Sequence, residues 1–326
     1  MRNAFADEIT RRAEADPSVV LLSGDIGNRL FDRFKAACPD RFYNCGVAEA
    51  NMVGVAAGLA LSGLRPVAYT ITPFLTYRVM EQIRLDLCYH HAPAVLVGTG
   101  SGLRYASLGA THHSLEEMAM LRTLPGMTVL APADAYELRA ALGDALHSTG
   151  PVYIRIGKKG EPTLHTATPP ALIGHSFVLK DGAGLCLLAV GVMTGIALEA
   201  ARLLAEKGIA AQVISVPTVK PLDTNLLTRV FDRFPLIASL EEHGLIGGFG
   251  AAIAEWLADR ETAPPGRLVR FGSADTFLHQ AGETEFAHEH FGLSAEAVAH
   301  RLAQRVSALP TQRFSALPAC QESSPP

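Results

Sequence analysis

Apolar and polar positions along this chain fall into short continuous apolar runs separated by longer amphipathic stretches. An amphipathic helix over residues 4–15 leads into the apolar run 19–22 and the turn Ser23-Gly24-Asp25. After a second helix and the short run 42–45, the Ala-rich stretch 49–61 predicts a helix. A strand at 66–71, a helix at 74–90 and a strand at 94–98 follow, then a Gly-rich loop over 99–111. A short helix, a strand at 127–130, a helix at 134–147 and a strand at 152–156 complete the block. The strands are continuously apolar, as strands covered on both faces are. Their alternation with helices predicts an open, mainly parallel α/β sheet with helices on both faces.

Residues 157–170 hold two lysines, Gly160 and three prolines, the composition of a connection. A second α/β block then repeats the alternation, with strands at 185–190, 211–215, 236–240 and 268–271. Helices are expected at 195–207, 248–257 and 294–306. The expected organisation is a domain over 1–160, a linker over 161–175, a second domain over 176–308 and a disordered Pro/Ser/Gln tail over 309–326.

At 326 residues the chain has room for two such cores. Hydrophobic residues at 48% and charged residues at 18% suit a well-buried globular enzyme, and the mean hydropathy of +0.20 fits some surface covered by another chain. A formal charge of −4 and no basic stripe beyond Lys158-Lys159 argue against nucleic acid. No apolar run approaches membrane-spanning length, and the acidic N-terminal stretch resembles no export signal. Five scattered cysteines without a CxxC pair fit reduced thiols in a cytoplasm and no metal site in this chain.

The candidate chemistry starts at GVAEANMVGVAAGLALSG, residues 46–63. A carboxylate beginning an apolar helix is expensive to bury, and Glu49 is better suited to sharing a proton than to standing as a free anion. The same residue also reads as a first-turn acid favoured by the helix dipole. The stretch TPFLTYRVMEQIRLD places Phe74 and Tyr77 where spacing alone reads as core aromatics. GATHHSLEEMAMLR carries Thr111, His112 and His113, too close together for a helical metal pair. Asp25, in LLSGDIG, reads equally as a strand-to-helix cap or as a functional acid.

Together these stretches resemble the pyrimidine-binding domain of transketolases and deoxyxylulose phosphate synthases. The resemblance implies a thiamine diphosphate enzyme that moves a ketol or acyl unit from a ketose or 2-oxo donor to an aldehyde. It gives Glu49 the family glutamate that hydrogen-bonds the aminopyrimidine and so promotes loss of the thiazolium proton. It gives Phe74 the aromatic face under that ring, with Tyr77 a second aromatic and Asp25 and Ile26 further cofactor contacts. His112 becomes the histidine beside the reacting carbonyl, with His113 next to it where the family usually has glutamine. Arg2, and with less support Arg155 or Lys158, correspond to phosphate-binding arginines.

The chain departs from the family pattern at Leu108 (usually Asp), Gly100 (usually His) and Met80 (often Tyr). Losing the polar contacts at 100 and 108 implies altered recognition of sugar hydroxyls and a specialised sugar or secondary metabolism. The second block, with VISVPTVKPLD and SLEEHGLIGGFGAAIAEWLA, resembles the transketolase C-terminal domain, and Glu241-Glu242-His243 is expected to serve packing and dimerisation.

Neither the GDG motif nor the Asn-Asn pair that hold magnesium and diphosphate in the family occurs in this chain. With a native-looking Met start, the resemblance implies a separate N-terminal-type subunit holding both, in a heterotetramer with two copies of each chain. A 2-oxo acid dehydrogenase beta subunit and a non-catalytic scaffold subunit are the competing expectations.

Overall fold

The computed structural model describes residues 1–27 and 29–308; the tail expected over 309–326 lies outside them. The strands are β1 (Val19–Ser23), β2 (Phe42–Asn44), β3 (Arg65–Ile71), β4 (Val95–Thr99), β5 (Thr128–Leu130) and β6 (Val152–Arg155), then β7 (Phe177–Lys180), β8 (Leu185–Ala189), β9 (Ala211–Ser215), β10 (Thr218–Lys220), β11 (Leu236–Gly244) and β12 (Arg267–Ser273). They form a seven-stranded sheet in the order β10-β5-β6-β4-β3-β1-β2 and a five-stranded sheet in the order β12-β11-β8-β9-β7. All pairings are parallel except β10 on β5 and β7 on β9, each at a sheet edge.

Val19 through Ser23 and Val95 through Thr99 are buried along their whole length, which is why these runs read as continuous apolar strands. The helix Glu49–Leu61 and the helix Arg2–Ala15 pack on opposite faces of the first sheet, the former with Leu22, Ala68 and Leu96, the latter with Leu21, Val67 and Val97. The alternating inward and outward residues of β1, β3 and β4 therefore feed two separate cores.

Two features tie the blocks together. β10 leaves the second block and pairs with β5 of the first sheet, Thr218 opposite Leu130. The connection 161–175 is also bonded down. Asp134 accepts from the amides of Leu164 and His165 at 2.8 Å each, and Asp144 accepts from those of Leu172 and Ile173 at 2.7 and 3.0 Å. The backbone of this stretch is thus held by one buried carboxylate, Asp134, and one half-buried one, Asp144. Among the described residues, no helix is long and apolar enough to cross a membrane, and the four described cysteines are free thiols.

Candidate functional site

In an open parallel sheet, loops at the carboxyl ends of the strands form the crevice where ligands sit. Five of those ends carry candidate residues. Asp25 and Ile26 follow β1, Glu49 follows β2, Phe74 and Tyr77 follow β3, and the loop with His112 and His113 follows β4. Lys158 follows β6.

Gly46 turns the chain into the glutamate helix at φ +66°, a left-handed backbone that suits glycine, and its carbonyl accepts from the Asp25 amide at 2.9 Å. Glu49 opens the helix Glu49–Leu61 and is 4% exposed. Its Oε2 accepts from Arg78 Nη1 at 2.8 Å. Its Oε1 lies toward Gly24, where an added Cβ would stand 3.9 Å from it and 2.7 Å from Thr70 Oγ1. Thr70 Oγ1 is itself buried without a hydrogen-bond partner. A side chain at Gly24 would fill this floor.

The stretch after β3 is a helix in name only. Thr72–Thr76 is α-helical with Pro73 in its first turn, Tyr77–Val79 tightens to 3-10, and Ile83–Tyr89 widens to a π-helix. Such changes of winding concentrate at functional sites. Phe74 stays half-buried, with the Arg78 guanidinium carbon 4.4 Å from its ring centroid and the His112 ring edge-on at 5.2 Å. Tyr77 turns its hydroxyl to Glu116, donating to Oε2 at 2.6 Å, while the Glu116 amide donates back to it at 3.2 Å. Burial, reinforced by Glu117 and Glu116, pushes the Tyr77 phenol far above its usual range.

The loop after β4 is closed on itself by the pairing of Gly102 with Ser114, whose Oγ accepts from the Gly102 amide at 2.6 Å. Leu103, Ala106 and Leu115 of this loop pack with Leu278 and Ala287 of the second block. His112 sits on it with Nδ1 3.0 Å from Thr111 Oγ1, and burial lowers its pKa, favouring the neutral ring. Among the described residues no protein group hydrogen-bonds Nε2.

Asp25 is exposed and accepts from Asn44 Nδ2 at 3.0 Å, and Ile26 packs partly against the helix Arg2–Ala15 core. Arg2 and Lys158 converge on Tyr105. The Lys158 ammonium lies 4.4 Å over the ring, and Arg2 draws the phenol pKa down against the burial that raises it.

Two expected substrate residues are not brought to this face. Arg155 is 4% exposed, and its donors are engaged in the interior, to Glu117 Oε1 at 2.5 Å and to the carbonyls of Ser114 and Glu242 at 3.1 and 2.7 Å. It locks the two blocks together through Nε and Nη2, which are taken up by these interior contacts. His113 is 6% exposed and turned inward, its pKa lowered by burial, so only its neighbour reaches Phe74. Sequence reasoning missed Arg78 and Tyr105. Arg78 lies four residues after Phe74, the spacing of stacked helical neighbours, and could have been found. Nothing in the sequence marks Tyr105.

A cavity of about 350 Å³ lies between the blocks, lined by Leu115, Glu116, Ala119, Leu245, Ile246 and Phe277 among others. It takes in none of Glu49, Phe74 or His112, which stand on an open face.

The arrangement provides a buried carboxylate with one oxygen anchored and one unclaimed, a half-buried aromatic ring beside it, and a neutral imidazole edge-on to that ring. These residues fit a flat heteroaromatic group bearing N–H donors. Comparison with known proteins supports the fit. The transketolase pyrimidine-binding domain matches residues 1–161 and the transketolase C-terminal domain matches residues 174–298. The 6-deoxy-6-sulfo-D-fructose transketolase subunit SqwH of Clostridium sp. (strain MSTE9) is 36% identical over 94% of this chain and 95% of its own length. One subunit of the apulose-4-phosphate transketolase of Actinobacillus succinogenes is 36% identical over 80% of this chain and 83% of its own. A solved split gene transketolase, described as an inactive beta4 tetramer, superimposes with a TM-score of 0.86 at 35% identity, covering 94% of this chain and 98% of that one. With both domain types in order and subunit-length relatives matched nearly end to end, the chain belongs to the transketolase family and is a transketolase-like transferase subunit.

Proposed function

We propose that this chain is the pyrimidine-side subunit of a thiamine diphosphate-dependent enzyme that transfers a two-carbon ketol unit from a ketose to an aldehyde acceptor in specialised sugar metabolism. The observation that carries the reading is the meeting of Glu49, Phe74 and His112, from three separate stretches, on one face. Thiamine diphosphate, when bound, supplies the electron sink that lets a carbon–carbon bond next to a carbonyl break and form. Phe74 offers the flat face for its ring. Glu49, desolvated and anchored at Oε2, leaves Oε1 to hold a proton shared with a ring nitrogen. His112, held neutral, can donate to or accept from a carbonyl oxygen through Nε2.

The diphosphate and its Mg2+ are assigned to an N-terminal-type partner subunit, in a cytoplasmic heterotetramer with two copies of each chain. Exposed apolar residues support this. Val47 (79%), just before the glutamate helix, Val55 and Leu61 on it, and Leu85 and Tyr89 (79%) on the π-helical segment beside it make a face of the kind other chains cover. The open site fits completion by that chain.

The test is ketol transfer by the complex reconstituted with a GDG-bearing transketolase subunit, comparing wild type with Glu49→Gln. Activity that falls by about two to four orders of magnitude in the variant is expected. Full activity of Glu49→Gln would overturn the reading.

A further inference from the structure

The loop that carries His112 is held at its neck by the second block. The neck is the closing pair Gly102–Ser114, where the Ser114 amide donates to the Gly102 carbonyl at 3.0 Å and the Gly102 amide to Ser114 Oγ. Gly102 stands at φ +67°, and a Cβ built on it would lie 2.0 Å from Glu242 Oε2 and 2.7 Å from Cδ. The Glu242 carboxylate, fully buried at the end of β11, therefore fills the space beside the neck. That carboxylate is itself fixed. His288, 6% exposed on the helix Thr284–His290, donates through Nε2 to Glu242 Oε1 at 2.5 Å. Burial pushes the Glu242 carboxyl up, but the His288 hydrogen bond and the charges of Arg104 and Arg155 outweigh it and hold the group at about 2, an anion. Arg155 Nη2 bonds both the Ser114 and the Glu242 carbonyls, tying the neck to the strand that carries the carboxylate. The helix Thr284–His290 adds Ala287, packed with Leu103 and Ala106, and Thr284 Oγ1 donating to the Leu103 carbonyl at 3.3 Å. His112 has no such anchor of its own. Among the described residues its ring has one hydrogen-bond partner, Thr111, which rides on the same loop. Where its imidazole stands is therefore set by the loop backbone, and the loop backbone is set at the neck.

We infer that Glu242, oriented by His288, is a positioning residue for His112: a buried carboxylate of the second block sets where the loop presents its imidazole. The inference deepens the ketol-transfer reading and rests on it for the role of His112. Buried behind the loop, Glu242 does not meet the reacting atoms; it acts through His112. A misplacement of about 1 Å at a reacting group can cost about a hundredfold in rate, whereas a residue that serves packing alone costs stability and leaves the folded enzyme's rate intact.

Two readouts separate positioning from packing. In the complex reconstituted with a GDG-bearing transketolase subunit, Glu242→Ala, His288→Ala and Gly102→Ala should each lower kcat about tenfold to a hundredfold. KM for the ketose and Kd for thiamine diphosphate should stay within about twofold. In the full chain without partner, the His112 ring is titrated by 13C NMR of labelled histidine, its signal assigned with His112→Asn. Its pKa should rise toward 6.5 in the three variants, because a loosened loop loses the burial that lowers it. Glu242→Gln, which keeps the packing beside Gly102 and an oxygen for His288, should recover most of the kcat lost by Glu242→Ala. Thermal melts identify a variant that fails to fold, and the other two, which reach the neck from different sides, then replace it. Folded variants with wild-type kcat, or with an unmoved His112 pKa, would overturn the inference. If the wild-type complex shows no ketol transfer, the His112 titration still decides the inference, and only the catalytic reading falls.

Discussion

Arg78 donates to Glu49 Oε2 at 2.8 Å while its guanidinium carbon lies 4.4 Å over the ring of Phe74. One planar cation thus stacks on the aromatic face that an aminopyrimidine would use, while its hydrogen bond takes Glu49 Oε2 and leaves Oε1. Its side chain is 46% exposed, so it can leave without disturbing the core. Any ring that stacks on Phe74 competes with it there.

Arg78→Ala should therefore bind thiamine diphosphate at least about threefold more tightly in the reconstituted complex, because the competing cation–π contact on Phe74 is removed. Calorimetry checks this. Weaker binding would mean that Arg78 holds Glu49 in place for the cofactor. The stability loss in the variant should stay below about 1 kcal/mol, since ion pairs with an exposed partner contribute little.

Breaking the Arg155–Glu117 pair should behave differently. Both side chains are buried, at 4% and 0% exposure, and Arg155→Met leaves a carboxylate inside the fold. A loss of about 3–5 kcal/mol in urea unfolding is expected. Pairing it with Glu117→Met should recover most of that loss, while KM for a phosphorylated ketose in the complex stays unchanged. A selective rise in KM in the double variant would restore Arg155 to the substrate set.

How far the chain could be read in advance follows from what each segment needs. The helix Glu49–Leu61 was legible because Ala and Leu propensity and apolar burial agree. The strand expected to stop at 240 runs on to Gly244, because buried Glu241, Glu242 and His243 find partners the pattern cannot show. Glu241 accepts from the amides of Phe249 and Gly250, Glu242 pairs with His288, and His243 accepts from the Ala119 amide. β10 was missed because three residues pairing across blocks carry no periodicity. Glu49, Phe74 and His112 were found through motif resemblance. Tyr105 was not, because its place depends on the left-handed turn at Gly100.

His243 gives the fold an acid sensitivity. Burial, then the charge of Arg155, lowers its pKa from 6.5 to about 4, and its Nε2 must stay unprotonated to accept from Ala119 across the blocks. A histidine depressed in the fold contributes stability that is present above the unfolded value and lost as pH falls toward the folded one. Wild type should lose stability between pH 6.5 and 4 by up to about 3 kcal/mol more than His243→Gln. Urea midpoints at pH 7 and pH 5 measure it, and parallel losses in both proteins would refute it.

His112 should set an acid limb on the rate. Burial lowers its pKa below 6.5, so the neutral form persists into mildly acid solution. kcat of the complex should fall only below that value, and His112→Asn should remove the limb along with about two or more orders of magnitude of rate. An unchanged pH profile in the variant would assign the limb to another group.

The most direct measurement is calorimetric titration of thiamine diphosphate and Mg2+ into this chain alone and into its mixture with an N-terminal-type transketolase subunit. The account requires tight binding in the mixture and none by this chain alone, because it supplies the ring face and the carboxylate while the partner supplies the diphosphate site. Tight binding by this chain alone would contradict it.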